Sequence, residues 1–106
     1  MIVMKFGGTS LEDATAMANA CEIIRGRIRR QPVVVLSAAS GITNALIRCA
    51  ELAAQGKRTE AESIVRDKII ERHYVLIANL IKGLREQDML IRQFKIYDEE
   101  LRSLIY

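Results

Sequence analysis

This sequence predicts an α/β fold: two short parallel strands, near residues 2–6 and 32–37, with flanking helices and a helical hairpin after them. Three observations lead there. IVMKF and VVVL are short apolar runs of strand length, and the stretch between them has helical periodicity. The order strand, helix, strand, helix implies a right-handed crossover and therefore parallel pairing. From residue 59 onward the apolar residues recur only at helical spacings.

IVMKF (2–6) ends at a glycine pair, which stops a buried strand. Ser10 then opens S-L-E-D, where its hydroxyl can cap a helix and Asp13 sits in the favourable first turn. Ala14, Met17, Ala18, Cys21, Ile24 and Ile28 follow at helical spacing, so a helix is expected over 11–30. Pro32 closes it and opens VVVL (33–36), a continuous run of the kind found in a strand covered on both faces. SAASG (37–41) is a turn of small residues, and ITNALIRCAELAAQG (42–56) is helical, with Gly56 as its stop. Residues 1–57 thus read as a βαβα unit.

Thr59 and Glu62 have capping-box spacing, followed by apolar-face positions at Val65, Ile69, His73, Leu76, Leu80 and Leu84. Gly83 and REQD break the pattern. Leu90, Phe94, Tyr97, Leu101 and Leu104 then repeat at spacings of 4, 3, 4 and 3, a coiled-coil seam. Residues 58–106 read as an antiparallel helical hairpin. The last residues, DEELRSLIY, end inside a helical pattern without a cap, as in a chain cut rather than completed.

The chain has 106 residues, half of them apolar and 27% charged, which suits one modest core and argues against disorder. The net charge of +3 is mild. Four arginines crowd into RGRIRR (25–30), but no aromatic residues interleave, so no nucleic-acid partner is expected. Cys21 and Cys49 both fall in helical apolar patterns without metal-ligand spacing and are expected to be buried free thiols, suited to a reducing cytoplasm. With one histidine, no structural zinc site is expected. No signal peptide or long apolar run indicates secretion or membrane insertion.

Two stretches carry chemistry. In KFGGTS (5–10), Gly7 and Gly8 allow a ligand to approach the main chain closely, Lys5 supplies a positive charge, and Thr9 and Ser10 add hydroxyls. A helix starting beside them would aim its positive end at the same place. That set suits a phosphate, although neither the Walker pattern nor the dinucleotide pattern is present. SAASGITN (37–44) repeats the logic after the second strand, with Ser37, Ser40, Gly41, Thr43 and Asn44 at another helix start. Ser40 or Thr43 could instead simply cap that helix. Parallel strands place both loops at the same end of the sheet, where open α/β sheets bind ligands.

KFGGTS near the amino terminus followed by VVVLSAASGITN resembles the aspartate kinases of the amino-acid kinase superfamily, and the likeness runs through essentially the whole chain. The resemblance implies an αβα sandwich, of which this chain would form the amino-terminal part. It implies transfer of the ATP γ-phosphoryl, with Mg2+, to the side-chain carboxylate of L-aspartate, the first step towards lysine, threonine and methionine. By resemblance Lys5 is catalytic, and Lys5, Phe6, Gly7 and Gly8 line the ATP phosphates, with Thr9 and Ser10 supporting the loop. Thr43 contacts the substrate, Ser37 lies in the same pocket, and Gly41 and Asn44 shape the turn. The family's catalytic domain is more than twice this long, and its later acidic motif, second glycine-rich segment and regulatory ACT domains have no counterpart here. The chain alone is therefore expected to be inactive.

The remaining polar residues read more simply. His73 is a packed helical histidine; Asp98, Glu99 and Glu100 form a solvated face, with Glu99 pairing with Lys95. Open sheet edges and the 90–104 seam both call for a partner, so a homo-oligomer is expected; a non-catalytic, self-associating or fragment-complementing module is the alternative.

Overall fold

The computed structural model describes residues 1–106. It divides into two compact units, Met1–Gly41 and Ile42–Tyr106.

In the first unit, β1 (Ile2–Phe6) and β2 (Pro32–Leu36) pair in parallel, with Ile2 opposite Pro32 and Phe6 opposite Leu36. The ladder runs one bond further, Ser37 N–H donating to the Phe6 carbonyl (3.2 Å). The crossover between the strands contains α1 (Ala14–Arg25). Phe6, Leu11 and Ala20 form its core, with Met4, Met17, Ile24 and Val34 packed around them.

Four expectations are corrected here. The predicted 11–30 helix is shorter: a 3-10 turn (Gly8–Leu11) precedes α1, and a second one (Ile28–Arg30) follows it. Asp13 rather than Ser10 caps α1, its carboxylate accepting from Ala16 N–H (2.8 Å). The 3-10 turn takes up Ser10, so the first position free to cap α1 falls to Asp13. The sheet is covered on one face only. Side chains alternate across a strand, so Met4, Phe6 and Val34 face α1, while Val3 (68% exposed), Lys5, Val33 and Val35 line the open face. Cys21 lies one position off the packed stripe of Met17, Ala20 and Ile24, and is exposed instead of buried.

The second unit is helical. α2 (Ile42–Ala54) ends at Gly56 as expected. That residue adopts φ +76°, with Gly56 N–H on the Ala53 carbonyl (3.0 Å) and Lys57 N–H on the Leu52 carbonyl (2.9 Å). A left-handed residue closed by this bond pair satisfies the last carbonyls of the helix. The next helix runs without a break from α3 (Arg58–Ile64) through a π-helical segment (Val65–Ile70) into α4 (Glu71–Leu80). Its N-cap position is Lys57, and no side chain caps it, so the expected Thr59/Glu62 box does not form. Thr59 lies within the first turn, where its carbonyl accepts from Ser63 Oγ (3.2 Å).

The chain turns at Ile81–Gly83, just before REQD, and those residues open α5 (Leu84–Ile105). The turn is tied by Gln87 Nε2, which donates to the Ala78 carbonyl (3.3 Å) and to that of Ile81. At its other end α5 delivers Ile105 to the core of Cys49, Leu52, Ala61, Val65, Ile69 and Ile70, so the hairpin is antiparallel. Ala61 and Val65 are fully buried.

The predicted 90–104 seam is split. Phe94 and Leu101 pack inward with Ile105, whereas Leu90, Tyr97 and Leu104 face solvent. The inward row is 94, 98, 101, 105, which draws in Asp98. Its side chain is only 16% exposed and accepts from Arg102 Nε (2.7 Å), so it is not the solvated carboxylate expected. That row buries a carboxylate because Arg102, one turn on, supplies the counter-charge. No ion pair joins Glu99 to Lys95.

His73 is a packed helical histidine, as expected. Nδ1–H donates to the Ile69 carbonyl (2.6 Å), and the ring stacks on Phe94 at 4.7 Å. Burial pushes the Cys49 thiol up, which keeps it protonated and unreactive. Alkylation by iodoacetamide at neutral pH should therefore modify Cys21 within minutes and Cys49 only on unfolding. Equal rates by mass spectrometry would contradict this packing.

Candidate functional site

The glycine loop sits where β1 ends. Gly7 is extended (φ −82°, ψ −178°), and the chain then tightens into the Gly8–Leu11 turn, with Ser10 N–H donating to the Gly7 carbonyl (3.1 Å). Gly8 and Thr9 open that turn, so it leaves their N–H groups without a carbonyl. Neither φ nor packing within the chain explains the two glycines. A Cβ at Gly7 would stand in open space, and one at Gly8 would meet only Ser37 Oγ, at 3.9 Å. A close approach by something outside the chain remains as the reason for glycine there.

Gly8 and Ser37 are thus neighbours, and the Phe6–Ser37 main-chain bond holds the two loops side by side. Ser37 Oγ donates to the Ala38 carbonyl (2.9 Å) and accepts no hydrogen bond within the chain. Gly41 has φ +85°, a left-handed conformation that favours glycine. Lys5 is exposed on the open face of the sheet and meets no carboxylate. Thr9 and Ser10 are exposed, and their hydroxyls have no hydrogen-bond partner in the chain. Phe6 is different: its side chain is buried with Leu11 and Ala20, so it can contribute to a site only through its main chain.

The expected helix dipole at this loop is blunted. α1 begins at Ala14 rather than Leu11, and the Asp13 carboxylate already occupies its positive end. What remains for an anion is the free Lys5 ammonium, the turn's N–H groups and two hydroxyls. On the α1 side lies a groove of about 240 Å³ lined by Phe6, Ser10, Ala16, Asn19, Ala20 and Ile23; of the groups just named only Ser10 borders it, Lys5 being on the opposite face of the sheet. Asn19 was not singled out by the sequence, since one amide among helical alternations looks like ordinary surface.

Thr43 and Asn44 are exposed in the first turn of α2, in the second unit. Neither side chain, nor that of Ser40, makes a hydrogen bond within the chain, so the simple capping role is not taken up. No three His, Cys, Asp or Glu side chains are grouped to hold a metal ion. No helix is long and apolar enough to cross a membrane.

The chain has been compared with known proteins. Residues 1–101 match the model of the amino acid kinase family. Among curated proteins, the chain is 33% identical over 100 residues to aspartokinase 2, chloroplastic, of Arabidopsis thaliana, covering 77% of this chain and 18% of that protein. It is 40% identical over 75 residues to the lysine-sensitive aspartokinase 3 of Escherichia coli, covering 68% of this chain and 16% of that one. With the aspartokinase of Rickettsia prowazekii the identity is 30% over 103 residues, 91% of this chain and 23% of that one. The chain therefore spans between 16% and 23% of the length of these relatives. A match over nearly every residue, beginning at the strand that carries the glycine loop, shows that this chain belongs to the amino acid kinase family.

Proposed function

We propose that residues 1–106 form the amino-terminal, phosphate-side segment of an aspartate kinase domain. In this reading a side-chain carboxylate oxygen of L-aspartate attacks the γ-phosphorus of ATP. The bond to the β,γ-bridging oxygen breaks, giving 4-phospho-L-aspartate and ADP. Charge spreads over the phosphoryl oxygens during such a transfer, so catalysis is mostly positioning and electrostatics. Lys5 neutralises that charge, and the Gly8 and Thr9 N–H groups and the Thr9 and Ser10 hydroxyls hold the phosphates. Ser37, Gly41, Thr43 and Asn44 serve the acceptor. Mg2+ would be carried by the nucleotide phosphates, since no acidic cluster of the chain fits it.

The observation that carries this reading is the glycine pair that the chain itself does not need, beside a lysine without a counter-ion. Support comes from the family membership and from the aspartokinase relatives. Because those relatives are so much longer, the chain by itself is expected to bind phosphates weakly and to give no turnover. An amide-resolved NMR titration with ATP should move the signals of Gly7–Ser10 and Ser37 and leave those of α5 in place. Shifts confined to other residues would refute the site. Robust aspartate-dependent ADP release would refute the claim of incompleteness.

A further inference from the structure

We infer that the outward face of α5 is a self-association surface on which two copies of this chain pair antiparallel. Met89, Leu90, Ile96, Tyr97 and Leu104 are each at least 42% exposed and all lie on one side of the helix. Leu90, Tyr97 and Leu104 are seven residues apart, as are Met89 and Ile96, so the stripe keeps to one side over about 22 Å of axis. Scattered exposed apolar residues are ordinary, but a continuous heptad stripe beside a packed inner face is not.

The polar residues on the stripe select a second copy, and its direction. Gln93 and Glu100 sit along its middle, and Arg92 and Glu99 lie together on one flank. In an antiparallel pair with its two-fold axis between Ile96 and Tyr97, Gln93 of each copy faces Glu100 of the other, an amide donor against a carboxylate. On the flank, Arg92, which pairs with Asp88 of its own chain on the exposed surface (3.0 Å), also comes beside the other copy's Glu99, which has no ion-pair partner in its own chain. A parallel pair would instead set Glu100 against Glu100 along the centre of the seam, which like-charge repulsion opposes. The antiparallel register also brings Met89 of one copy to Leu104 of the other. Leu104 borders a groove of about 170 Å³ that Leu46, Ala50 and Ala53 of α2 also line. All these residues lie in the second unit, so the inference stands apart from the kinase reading.

One helix pair is a small interface, so the dimer should form in the range of tens of micromolar. Sedimentation velocity of the full chain from about 5 to 500 μM should show a monomer passing to a dimer. Tyr97→Glu and, independently, Ile96→Glu should stay monomeric throughout while far-UV circular dichroism is unchanged. Arg92→Glu and Glu99→Arg should each weaken the dimer about tenfold, and the two together should return it to within about threefold of the original. A monomer at every concentration overturns the proposal. So does a dimer that ignores both stripe substitutions, or a charge swap that fails to restore pairing.

Discussion

Leu52→Ala is expected to lower the unfolding free energy by about 3 kcal/mol, read as a shift in the urea midpoint at constant slope. Leu52 is 2% exposed and sits in the cluster of Cys49, Ala61, Val65, Ile69, Ile70 and Ile105. Truncation removes the transfer free energy of the lost methyl groups and leaves a cavity that α2 and α3, joined through the short Gly56 turn, cannot easily close. A domain of this size is stable by about 5–15 kcal/mol, so the loss is a large share of the whole. Ile47→Ala on the same helix is the control. Ile47 is half exposed, and its replacement should change stability by no more than about 0.5 kcal/mol. Equal effects at the two positions would show that the core is not where the structure puts it.

Gly7→Val should do the reverse: leave stability nearly untouched and abolish phosphate binding. Gly7 has φ −82° and no neighbour within 4 Å of an added Cβ, so the fold accommodates a larger residue. In the proposed site, however, that open space is where the phosphates approach the main chain. ATP affinity, followed by the amide shifts of Thr9 and Ser10, should fall at least about tenfold, equivalent to 1.4 kcal/mol. The thermal midpoint should stay within a few degrees. Unchanged binding would remove the main observation behind the proposed site. A collapsed midpoint would mean that the glycine serves the fold rather than a ligand.

Much of the fold was legible because the deciding interactions are local. The two apolar runs, the crossover between them and the glycine after α2 each depend on a few adjacent residues. The proposed site could be named from the sequence for a related reason: KFGGTS and SAASGITN are contiguous stretches whose residue types suit an anion. Caps were read less well. Ser10 was expected at the cap with Asp13 in the first turn, and the 3-10 turn over Gly8–Leu11 moves the cap to Asp13. Cys21 was misplaced by a single position on α1, about 100° of rotation, which separates a packed side chain from an exposed one.

By itself, then, the sequence determined the element types, the parallel strand pair and the two loops that carry family membership. Only the tertiary structure decided which faces are used. Along α5 the residues Phe94, Tyr97 and Leu101 looked equivalent, yet the position of Ile105 in the core turns Phe94, Asp98 and Leu101 inward and leaves Leu90, Tyr97 and Leu104 outside. The sheet shows the same division, with α1 filling one face and leaving Val3, Val33 and Val35 open. The physical reason is that periodicity reports how apolar residues are spaced. Which of them is buried depends on the volume and position of a partner surface distant in the chain.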